Sequence, residues 1–144
     1  MTPDQIFQIA NLLALTGWIF LAALPNWKHT GKIVSGGIVA LLAVIYLFLL
    51  TTHLDAFSKG GFGSLAQISV LFQDRNLLLA GWIHYLAFDL FTGLRMTRDS
   101  KGLGLSRWLV LPCLFLTFMF GPVGWLAYAI LRMVKTRNFF GEPF

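Results

Sequence analysis

Four apolar runs, over residues 6–24, 33–50, 77–93 and 105–134, limit what this chain can fold into more than any other feature. A helix that crosses a hydrocarbon core of about 30 Å needs about 20 mostly apolar residues. The first two runs meet that length. The third is short, and crosses only with flanking residues or a locally thinned bilayer. The fourth is long and contains Pro112 and Pro122, so it reads as one tilted or kinked span. The expected fold is all-α: an integral membrane four-helix bundle forming a single domain over 1–144.

Composition supports that class. The chain is 57% hydrophobic and 12% charged, against roughly 45–50% and about 25% in soluble domains. A soluble domain of 144 residues has no interior large enough for the excess. The net charge of +5 comes from Lys and Arg residues that flank the apolar runs. They read as membrane-flanking charges, not as a face for nucleic acid. The single Cys113 excludes an internal disulfide and a cysteine-based zinc cluster.

The connections carry their own signals. Pro25-Asn26-Trp27 ends the first run, with Pro stopping the helix and Trp suited to the lipid–water interface. Gly60-Gly61-Phe62-Gly63 is a flexible turn. After it, Leu65, Ile68, Leu71 and Phe72 recur at helical spacing within 64–72, which predicts a short interfacial amphipathic helix. Asp74 suits the N-cap of the third spanning helix. With four spans, Lys and Arg divide six against five between the two faces, a slight lean toward an outside N-terminus. No cleavable signal or organelle address is evident at the N-terminus, so the expected location is a bacterial inner membrane.

The third run, within Gly81 to Gly93, holds two residues that lipid disfavours, His84 and Asp89. An Asp at the centre of a membrane helix costs about 2.5–3.5 kcal/mol on insertion scales. Asp89 falls about one turn from the end of the run, where the helix macrodipole disfavours negative charge. Helical geometry puts Trp82, Tyr85 and Thr92 on its face, and either hydroxyl can donate to it. His84 lies about 140° away, on the side of Ala80 and Ala87, where small residues admit a neighbouring helix. The two are not a local pair, and they meet only if a cavity joins their faces.

Three readings of these residues stand side by side. They are hydrogen-bond glue between helices, or an acid–base or ligand site, or a metal or b-type haem site. The last is weakest, because His29 and His53 lie at helix edges; no metal ligand set is assigned. Asn11 in the first run and Asn76 at the mouth of the third are further polar candidates. Several chemistries are absent from the sequence. There is no Gly-rich phosphate loop and no Ser nucleophile motif. All five lysines lie outside the apolar runs, which argues against a retinal-type Schiff base.

Trp82-Ile83-His84, Leu86-Ala87 and Asp89-Leu90-Phe91 together resemble the signature of the ABA4-like membrane proteins. Pro25-Asn26-Trp27 and Phe120-Gly121-Pro122-Val123-Gly124 fit the same pattern. The resemblance implies a four-helix integral membrane protein. Plant members act in xanthophyll metabolism, in the step from violaxanthin to neoxanthin. That step opens an epoxide and forms an allene, formally an isomerisation that needs a base and an acid. On this resemblance His84 and Asp89 are the expected catalytic residues. Trp82, Tyr85, Phe88, Asn11, Asn76 and Trp125 are the expected substrate contacts. The ligand would be an apolar polyene or other isoprenoid drawn from the membrane lipid; cofactor and homo-oligomeric state stay open. The alternative is a non-enzymatic membrane protein that binds a pigment or apolar lipid, or an assembly factor.

Overall fold

The computed structural model describes residues 1–137, and all their regular structure is helical. Helix α1 (Pro3–Ala23) begins with a reciprocal cap. Thr2 Oγ1 accepts from the Gln5 amide at 3.3 Å, and Gln5 Oε1 accepts from the Thr2 amide at 2.9 Å. Helix α2 (Lys32–Thr52) is π-helical over Lys32–Val39 and α-helical from Ala40 onward. The short α3 (Leu65–Leu71) is the expected interfacial helix, capped by Ser64 and anchored by the buried Leu71.

Helix α4 (Arg75–Gly102) is the spine of the fold. Asp74 caps it, its Oδ1 accepting from the Asn76 and Leu77 amides at 2.8 and 3.1 Å. Helix α4 extends the short third run at its C-terminal end by about two and a half further turns, bearing Arg95, Arg98, Asp99 and Lys101. Its 28 residues rise about 42 Å. This length also corrects the expectation for Asp89, which lies mid-helix and far from the negative end of the α4 dipole. Helices α1, α2 and α4 are each long and apolar enough to cross a membrane.

The three long helices pack with α1 and α4 parallel and α2 antiparallel. At one end Arg75 pairs with Asp4 at 2.8 Å. At the other, Lys101 donates to the Pro25 carbonyl and Arg107 to the Ala22 carbonyl. Between them Leu90 fits over Gly17, and Trp18 over Gly93. Ala10, Leu42 and Ile83 form the sealed interior, while Leu12, Val44 and Phe88 face outward. An apolar exterior over a packed interior suits lipid as the solvent.

The fourth run departs from the expected single span. It forms two helices, α5 (Arg107–Phe120) and α6 (Pro122–Thr136), joined at Gly121. Pro112 sits inside α5 without ending it. The break comes at Gly121, whose φ of 48° favours glycine. Pro122 then starts α6 at a position that needs no amide hydrogen. The two helices fold back on each other closely. A Cβ on Gly124 would overlap the Thr117 amide nitrogen and hydroxyl and the Cys113 carbonyl. Both arms face the same half of α4: Thr117 of α5 meets Met96, and Tyr128 of α6 meets Asp99. At 14 residues, α5 rises only about 21 Å, too short to cross. The run is a helical hairpin whose two ends lie at one end of the bundle, and Phe120-Gly121-Pro122 is a chain reversal where a kink was expected.

Candidate functional site

The hairpin tip meets α4 at Asp89. A Cβ on Gly121 would lie 2.8 and 2.9 Å from the two carboxylate oxygens, so only glycine lets the carboxylate touch the turn. Asp89, Thr92, Gly121, Pro122 and Trp125 line a cleft of about 320 Å³. In the first turn of α6, Pro122 has no amide hydrogen and the Gly124 and Trp125 amides both donate to the Gly121 carbonyl, at 3.1 and 3.4 Å; the positive dipole end of the helix still favours a negative charge beside it. Broken helices at membrane depth occur where protein or a cavity accommodates the free backbone groups. Asp89 Oδ2 is buried with no hydrogen-bond partner, alone in this among the side-chain atoms of the described residues.

Tyr85 stands one turn before Asp89, and the two side chains are close enough to interact. The Tyr85 hydroxyl donates to the Met119 carbonyl at 3.4 Å, a long bond that leaves it weakly held. The shared face of Tyr85, Asp89 and Thr92 expected from helical spacing is thus present. Trp82 continues it. Its ring lies 5.3 Å from that of Tyr85, and its Nε1 donates to Asn11 Oδ1 at 3.2 Å. Asn11 in turn donates to the Phe7 carbonyl at 2.7 Å.

His84 belongs elsewhere. It lines a separate cleft of about 200 Å³ with Tyr46, Phe57, Phe62 and Phe72. Its ring lies 4.5 Å from Phe88 and 5.7 Å from Tyr46. It touches α2, as its side of the helix requires, but is exposed at the outer surface. The cleft at His84 and the cleft at Asp89 share no lining residue. Phe88 faces outward beside His84. Asn76, partly buried in the first turn of α4, is about 20 Å of helix rise from Asp89. Of the expected site residues, the structure joins Asp89 with Tyr85 and Trp125 and extends that group through Trp82 to Asn11. His84, Phe88 and Asn76 stand apart from it.

One cluster was not legible in the sequence. Asp99 Oδ2 accepts from the Tyr128 hydroxyl at 2.6 Å and from Arg132 Nε at 3.1 Å. It lies past the apolar run among Arg95, Arg98 and Lys101, so it looks like an ordinary interfacial charge. The signal available was its order in the chain: an acid following the apolar part of α4, with a Tyr and an Arg one turn apart in the last apolar segment.

Three helices long and apolar enough to cross a membrane, packed with a helical hairpin that carries its tip to a carboxylate midway along α4, define a polytopic α-helical membrane protein. The chain belongs to the ABA4-like family (ABA DEFICIENT 4-like), whose model matches residues 5–128, from α1 to the Tyr128 that fastens α6. No curated protein and no solved structure matches it.

Proposed function

We propose that the chain is a membrane-embedded isomerase of a carotenoid-like isoprenoid, with Asp89 as its proton-accepting group and Tyr85 as the acid. The observation that carries this reading is the buried, unpartnered Asp89 Oδ2 beside a lipid-facing cleft. An ionisable side chain inside a membrane helix is costly enough to imply a use. The family resemblance supplies the reaction class, the opening of an epoxide to an allenic alcohol.

In that reaction Asp89 takes the proton from the carbon beside the epoxide. The electrons of the broken C–H bond form the new double bond, and the epoxide C–O bond opens. Tyr85 gives its proton to the resulting alkoxide. The proton held on Asp89 then returns to the Tyr85 oxygen, so substrate and product have the same atoms. Trp82 and Trp125 flank the pair and offer flat apolar surface to a polyene. His84 takes no part.

The test is expression in a host that makes epoxycarotenoids, with pigments separated by chromatography and weighed by mass spectrometry. The expected result is a product of unchanged mass and altered absorption, lost in Asp89→Asn. A pigment that co-purifies unaltered would support a binding protein instead. Conversion that survives Asp89→Asn would overturn the assignment.

A further inference from the structure

A second feature lies between α1 and α5, away from Asp89. At the end where α1 stops, Leu21, Pro25, Ser100, Lys101, Arg107 and Leu111 border a pocket of about 280 Å³. Leu111 and Leu114 also line an adjoining apolar groove of about 360 Å³, with Leu15, Trp18, Phe115 and Phe118. The two spaces adjoin at these shared side chains. One end is cationic and the other has almost no polar surface.

The cations are held in place. Lys101 and Arg107 each donate to a carbonyl at the end of α1, Pro25 and Ala22 respectively. The Ala22 carbonyl lies in the last turn of α1, at the negative end of its dipole, and the Pro25 carbonyl just past the C-cap, so both cations sit where that end favours positive charge. An ammonium has three donors and a guanidinium five. Each therefore keeps donors free for a second acceptor in the pocket. The groove below runs from Ala22 to Leu15, about 10 Å of helix rise, within a monolayer of about 15 Å. Its shape matches a head group at the interface with a chain beneath it.

The hairpin decides which monolayer this is. With both ends of the fourth run on one side, all of the eleven Lys and Arg residues except Lys59 and Arg75 fall at the Lys101–Arg107 end. So strong a bias places that end in the cytoplasm, where the leaflet carries the anionic lipids. The near balance expected from four spans came from counting the α6 end on the wrong side.

We infer that the α1–α5 groove binds an anionic phospholipid of the cytoplasmic leaflet, its phosphate held by Lys101 and Arg107 and an acyl chain lying along Leu111, Leu114 and Trp18. The test uses the full chain in nanodiscs containing phosphatidylglycerol or phosphatidylcholine with brominated chains, which quench nearby tryptophan. Phosphatidylglycerol should quench Trp18 at a concentration about tenfold lower than phosphatidylcholine does. Trp18→Phe identifies that component of the signal. Lys101→Gln with Arg107→Gln should abolish the preference. Ile19→Phe, which crowds the groove and leaves the Ala22 and Pro25 carbonyls that hold the cations unchanged, should weaken the quenching. Equal quenching by the two lipids would overturn the inference. So would displacement of phosphatidylglycerol by millimolar inorganic phosphate, which would make this a site for the free anion.

Discussion

The Tyr128 hydroxyl of α6 donates to the Asp99 carboxylate of α4 at 2.6 Å, and Tyr128 is fully buried. This bond fastens the returning arm of the hairpin to the spine, with Arg132 on the same oxygen at 3.1 Å. Tyr128→Phe removes one bond to a charged acceptor and should cost about 2 kcal/mol. Asp99→Ala removes the acceptor that both groups share and should cost about 3 kcal/mol. Thermal unfolding in detergent, followed by circular dichroism, measures both; equal effects would show that Arg132 contributes nothing.

The hairpin itself makes a topological prediction. In a Cys113→Ser background, single cysteines at Ser106 and Lys135 should react with an impermeant maleimide from the same side of the membrane, and one at Ser64 from the other. A single span over 105–134 would put Ser106 and Lys135 on opposite sides.

Gly121→Ala should destabilise the fold by about 2 kcal/mol, because its positive φ strains any side chain. The added methyl also presses on the Asp89 carboxylate. Combining it with Asp89→Ala should recover part of the loss, a coupling of about 1 kcal/mol in a double-mutant cycle. Strict additivity would mean that the carboxylate does not touch the turn in solution.

Conversion should separate the two polar residues of α4. Tyr85→Phe and Asp89→Asn should each lower the rate of isomer formation about 10²–10⁴-fold, the range of acid–base assistance. His84→Ala should leave it near wild type, since His84 lines a different cleft. Loss of conversion in His84→Ala at unchanged thermal stability would contradict that division.

Much of the architecture is readable from residue order. Apolar length locates α1, α2 and the middle of α4; Asp74 and the 64–72 spacing locate a cap and an interfacial helix. The helical wheel also places Tyr85, Asp89 and Thr92 on one face correctly. The fourth run misleads because hydropathy adds along the chain and has no direction. Two short helices on either side of Gly121 contribute the same sum as one long helix. What marks the reversal is the positive φ at Gly121 and the backbone approach at Gly124, both properties of three-dimensional packing. For the same reason the wheel separates His84 from Asp89 but cannot say that a hairpin tip occupies one of the two faces.

The shortness of α5 has a consequence for traffic within the bilayer. The hairpin rises about 21 Å and stops at Gly121, short of a core of about 30 Å. Beyond the tip, that flank of α4 is open to hydrocarbon, with Trp82 and Tyr85 as its wall. The cleft at Asp89 itself is bordered by Thr92 and Trp125, both on the Lys- and Arg-rich side of the tip. Under the proposed function, a substrate would reach Asp89 from the same side of the tip that carries the groove at Lys101 and Arg107.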